Sequence, residues 1–160
     1  MNLAIDTPRG REFVQQQKWI AQVLAEHYGY ARVDSAFGTA PINTRFGSEH
    51  QLQELAHIKI RQMSTPQLER FGSLLITSDK ISDGVRASAQ QQVPFCVYAY
   101  LLDDQQIVRW VVAVNGIPSF PLDGIATITA ATCNGGTAMR RNVFLPYDEG
   151  RLLPAELAII

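Results

Sequence analysis

The run from Leu55 to Lys80, LAHIKIRQMSTPQLERFGSLLITSDK, most constrains what this chain can fold into. Ala56, Ile58 and Ile60 alternate with His57, Lys59 and Arg61, which is the period of a strand. One face of that strand is apolar. The other carries an imidazole and two cations, so it reads as a functional row or as a solvated edge. A helix start follows: Ser64 or Thr65 can N-cap, Pro66 suits the first turn, and Ser64 with Gln67 has capping-box spacing. Gly72 is placed to end that helix in a left-handed turn. Leu74–Thr77 is short and apolar and reads as a buried strand, and Lys80 follows it.

The remaining chain supplies a frame for this run. Pro8 to Tyr28 is expected to be helical, capped by Asp6 or Thr7 and ended by Gly29. Phe13, Ile20, Val23, Leu24 and His27 recur at helical spacing as a core-facing stripe, and Glu12 and Glu26 fall on a solvated face. Tyr30 to Val33 reads as a strand, Asp34 to Pro41 as a loop, and Ile42 to Phe46 as a second strand. After a turn at Gly47–His50, that strand makes a hairpin with the one bearing His57. Ser82 to Gln92, starting near Asp79, has helical composition weakened by Gly84. Val93 to Leu102 is apolar on both faces, as in a central strand. It turns at Asp103–Gln105 into a returning strand, Ile107 to Val114, where Trp110 reads as a core or edge aromatic. After a loop from Asn115 to Gly124, Thr127–Cys133 and Thr137–Leu145 read as a hairpin joined at Asn134-Gly135-Gly136. Arg140 and Arg141, adjacent on a strand, point to opposite faces. Pro154 to Ile160 reads as a terminal helix or tail.

Composition narrows the function classes. The 160 residues carry a net charge of −1, so no overall basic field advertises nucleic acid. Between His57 and Arg86, however, Lys59, Arg61, Arg70, Lys80 and Arg86 outnumber Glu69, Asp79 and Asp83. Cys96 and Cys133 make neither a disulfide framework nor a zinc spacing. No P-loop, dinucleotide fingerprint or nucleophile elbow is present. The N-terminus lacks the pattern of a signal peptide, and no run approaches the roughly 20 apolar residues of a membrane helix. Those absences predict an intracellular, cytoplasmic protein, or part of something assembled inside a cell, with no membrane partner.

The order of His57-Ile58-Lys59, Gln67-Leu68, Leu74–Thr77 and Lys80 resembles the PD-(D/E)XK nuclease-like superfamily, in its small phage and bacterial members, over roughly residues 13–114. There a strand ends in Glu-x-Lys, a helix carrying Gln-Leu follows, then an apolar strand, then a Lys. The ending Asn142–Tyr147 is also similar to the close of phage-type members. The resemblance implies an α/β domain spanning residues 1–160, with a restriction-endonuclease-like mixed sheet of about five strands flanked by helices. The core would cover about residues 8–114, and an added C-terminal β-hairpin and tail about 115–160.

It also implies a site. The family's first hairpin arm supplies an Asp that shares Mg²⁺ or Mn²⁺ with the Glu of Glu-x-Lys, and the metal-bound water attacks the phosphodiester while the Lys steadies the developing charge. Here Asn43 stands at the Asp position and His57 at the Glu position, and only Lys59 matches. Asp34 from the loop, or Glu54 ahead of the strand, is a candidate replacement acid. The resulting expectation assigns Lys59, His57 and Gln67 to catalysis. It assigns Asn43, His57 and Asp34 to a weakened metal site for Mg²⁺ or Mn²⁺, and Lys80, Arg61 and Arg86 to nucleic acid. The alternative is a fold that has outlived its chemistry and serves as a non-catalytic subunit of a phage particle, a nucleoprotein assembly or a homo-oligomer.

Overall fold

The computed structural model describes residues 8–35, 40–122, 124–129 and 138–154. Helix α1 (Pro8–Tyr28) leads into strands β1 (Arg32–Ser35), β2 (Thr44–Gly47) and β3 (Leu52–Arg61). These form an antiparallel meander. Helix α2 (Thr65–Phe71), strand β4 (Ser73–Thr77) and helix α3 (Ser78–Gln91) make a crossover to β5 (Phe95–Leu101), which pairs parallel to β3. Strand β6 (Gln106–Val114) returns antiparallel to β5, and β10 (Arg151–Leu152) and the short β7 (Ile117–Pro118) both pair with β6. The result is a seven-stranded mixed sheet with the path β1-β2-β3-β5-β6-β10.

A second sheet holds β4, β9 (Ala138–Pro146) and β8 (Gly124–Thr129), in the order β4-β9-β8. Two expectations change here. Leu74–Thr77 does not join the main sheet, and it is buried on one side only: Leu74 and Ile76 face the core, while Leu75 is exposed. The C-terminal strands do pair antiparallel, β8 with β9, but they are not a separate addition, because β9 takes β4 as its second partner from Ser73↔Pro146 to Thr77↔Asn142. The chain is therefore α/β with a mixed sheet flanked by helices, as expected, but with seven strands in that sheet and a small second sheet beside it.

The main sheet separates two apolar layers. On one face, Ile20, Ala21, Leu24 and Ala25 of α1 pack on Ala56, Ile58, Ile60, Cys96, Tyr98 and Tyr100. On the other, Leu55, Phe95, Val97, Ala99, Trp110 and Val112 meet Leu68, Ile81, Leu74, Ile76, Val143 and Leu145 from α2, α3 and the second sheet. Ile20 and Leu24 confirm the α1 stripe, and Phe13 and Val23 flank it half-buried. His27 is exposed, and Gln17 takes an inward place because its amide reaches the Ile58 carbonyl at 3.2 Å. The Asp6/Thr7 cap, residues 36–39 of the loop, the Asn134–Gly136 turn with Cys133, and the tail beyond Pro154 lie outside the described residues.

Local chemistry explains the crossover. Ser64 accepts from the Gln67 amide while Gln67 Oε1 accepts from the Ser64 amide at 2.9 Å, closing the expected capping box. Gly72 ends α2 at φ 80°. Gly84 has a packing reason: a Cβ there would lie 2.6 Å from Phe95 Cδ2 and closer still to Cε2 and Cζ. A larger residue would keep α3 off β5.

Candidate functional site

Strand β3 lies between β2 and β5, so its polar row cannot be a solvated edge. From Leu55 on, the odd residues face α3 and the second sheet while the even residues face α1. His57 is 1% exposed. Its Nδ1 lies 3.0 Å from the Pro41 carbonyl and 3.2 Å from the Ala40 carbonyl, both in the segment that leads into β2. Carbonyl oxygens only accept, so Nδ1 carries the proton. Burial first, then Lys59 and Lys80, lowers the imidazole pKa to about 3 and keeps the ring neutral. Nε2 is left as a bare acceptor, buried and without a partner. An unpaired buried acceptor costs about 1–3 kcal/mol, so its retention needs a reason.

Lys59 stands two residues on, along the same row. Burial, with Arg61 and Lys80 beside it, lowers its pKa from 10.5 to about 6. Lys80 sits in the first turn of α3, and burial lowers its pKa, with Asp79 opposing the shift and Arg61 adding to it. The N-terminus of α3 receives no side-chain cap from Thr77, so the first-turn amides add positive potential at the same place. Arg61 has a structural duty as well. Its Nη2 donates to the Leu75 carbonyl at 2.9 Å, on β4, whose second edge pairs with no strand among the described residues.

The other expected site residues lie apart from this cluster. Asn43 is fully buried and spends its amide on the backbone of one residue: Nδ2 donates to the Ile58 carbonyl at 3.0 Å, and Oδ1 accepts from the Ile58 amide at 2.9 Å. It extends the β2–β3 ladder by side-chain mimicry. Gln67 holds the α2 cap. Asp34 lies on the outer strand β1 in an exposed ion pair with Arg32 at 2.8 Å. Arg86 is exposed, pairs with Asp83 at 3.4 Å, and lines a cavity of about 430 Å³ between α3 and β9 together with Arg141 and Val143.

Glu54, the other candidate acid, faces α1 and so lies across the sheet from His57. It is 1% exposed and anchors a saturated network. Tyr98 Oη donates to it at 2.7 Å, Arg109 Nη2 at 3.1 Å, and Tyr30 Oη at 3.4 Å. Arg109 lies over the Tyr28 ring, 5.2 Å from its centroid. Burial, then Glu54, raises the neighbouring Cys96 thiol well above its ordinary range, which keeps it protonated and unreactive. Sequence reasoning passed over Arg109 because Arg on an alternating strand ordinarily snorkels to solvent. Its Glu54 partner is 55 positions away.

Among the described residues, no group of three or more His, Cys, Asp or Glu comes together that could hold a metal ion, and no helix is long and apolar enough to cross a membrane. What the cluster offers chemically is two amines, a guanidinium, a helix N-terminus and one buried lone pair. No family model matches this chain, and no match was found among curated proteins or solved structures.

Proposed function

We propose that this is a nuclease-like protein that binds the phosphates of DNA between β3 and the start of α3, with hydrolysis weak or lost. One observation carries the reading: Lys59, Arg61 and Lys80 are drawn together in a largely buried place where, among the described residues, Asp79 beside Lys80 is the acid acting on them. Cations crowded out of water cost stability unless an anion completes the site. In support, the β2–β3 hairpin carries His57 and Lys59 on its second arm, as in the resembled superfamily.

The residues do not fit Mg²⁺ or Mn²⁺. Mg²⁺ takes carboxylate and water oxygens, whereas this place presents one imidazole nitrogen flanked by two lysines. Asn43 is spent on Ile58, and Asp34 on Arg32 at the surface. The protein's own groups therefore act by holding phosphate oxygens. Anisotropy titrations of single-stranded, duplex and branched DNA test the reading, with Lys59→Ala and Lys80→Ala alongside cleavage assays with and without Mn²⁺. Binding that weakens in both variants and with added salt is expected. DNA affinity unchanged by both substitutions would overturn it.

A second reading is a subunit of a larger particle, such as a phage virion or nucleoprotein assembly. It is favoured by two exposed apolar side chains, Phe71 at the end of α2, 68% exposed, and Leu75 on β4. Sedimentation of the wild type against Phe71→Ser tests it, and a strict monomer at high concentration counts against it.

A further inference from the structure

We infer that the cluster selects the terminal phosphate monoester of a nucleic-acid strand over an internal phosphodiester, with His57 Nε2 accepting a hydrogen bond from the P–OH. This rests on the phosphate-binding reading above and narrows its ligand.

The argument begins with what His57 can offer. Two carbonyls fix the proton on Nδ1, so the free Nε2 can only accept. It is buried and unpartnered, and its charged neighbours are cations. Lys59 and Lys80 act directly on it, Arg61 stands beside both lysines, and Asp79 stands beside Lys80. The positive surroundings demand an anion, while the lone pair demands a donor. A metal ion satisfies the lone pair but is repelled by the lysines. An internal phosphodiester satisfies the lysines but has no proton to give. A phosphate monoester, whose second pKa is about 6, does both: its charged oxygens meet Lys59, Lys80 and the first-turn amides of α3, and its P–OH meets Nε2. Loss of the family's carboxylate at position 57 then changes the site's preference instead of merely disabling it.

The test compares one short single-stranded oligonucleotide carrying a 5′-hydroxyl, a 5′-phosphate, or a methyl-capped 5′-phosphate, which retains one charge but has no P–OH. Dissociation constants measured at pH 6 should favour the 5′-phosphate by about tenfold over both others, the worth of one charge-assisted hydrogen bond. His57→Leu should abolish the preference, and His57→Gln, which restores an acceptor, should recover part of it. Circular dichroism melts confirm folding. Where His57→Leu fails to fold, the methyl cap on wild-type protein decides alone. The inference is overturned when the capped and free phosphates bind equally well. Equal binding of all three that still depends on Lys59 leaves the phosphate-binding function standing, whereas no binding of any strand removes both. Inorganic phosphate is the competing arm. If it displaces the phosphorylated strand at equal concentration, the strand contributes nothing and the nucleic-acid part is overturned.

Discussion

Replacing Lys59 with Met should stabilise the protein and remove a specific slope from its pH dependence. The amine is held at a pKa of about 6, against 10.5 when free in water, because burial and the neighbouring Arg61 and Lys80 disfavour its charge. Between those values the unfolded chain binds a proton that the folded chain does not, so stability rises with pH across the window and falls as pH drops towards 6. The linkage amounts to about 1.4 kcal/mol per pH unit for one such group. Partial solvent contact at the amine screens the charge, so the wild type should lose about 1.5–3 kcal/mol between pH 9 and pH 7. Met keeps the aliphatic stem and cannot charge. Urea denaturation midpoints for both proteins at half-unit steps from pH 6 to pH 9 measure this directly. Lys80 titrates in the same direction, so the informative quantity is the difference between the two proteins. Lys59→Met should lead most at pH 6 and by progressively less towards pH 9. A pH-independent gap, or a variant less stable at pH 6, would refute the placement of Lys59 in a crowded cationic pocket.

Three further outcomes follow from the packing. Gly84→Ala should destabilise by about 1–3 kcal/mol, despite alanine's better helix propensity, because its Cβ collides with the buried Phe95 ring; a thermal melt showing stabilisation would place α3 further from β5 than it stands here. Glu54→Ala should cost about 3–5 kcal/mol by leaving the Arg109 charge without its carboxylate, and a double-mutant cycle with Arg109→Met measures the pair's coupling. Arg61→Ala should cost about 1 kcal/mol and promote self-association through the freed edge of β4, read by light scattering; a variant as monomeric as the wild type would show that the edge is protected by other means.

How much of this was legible in the sequence depended on how local each signal was. Pro8–Tyr28 emerged as a helix with the expected bounds because its periodicity lies within the helix itself and Gly29 directly follows it. The capping box and the Gly72 stop were likewise readable, since each involves residues three or four apart. The alternation of β3 correctly sorted Ile58 from Lys59. His27 was misread because the inward face at the end of α1 is taken by Leu24, Ala25 and Tyr28, which leaves His27 exposed.

The sequence by itself determined the elements, their caps and the two faces of β3, because hydrogen bonds within a helix and alternation along a strand are decided by near neighbours. The tertiary structure alone decided what those faces meet. It sent Leu74–Thr77 to a second sheet with β9, buried His57 beneath the loop ahead of β2, set Glu54 against Arg109 on the far side, and gathered Lys59 with Lys80. Each of these depends on strands distant in the chain lying side by side. Burial and charge at a site are sums over such neighbours, and no stretch of sequence contains them.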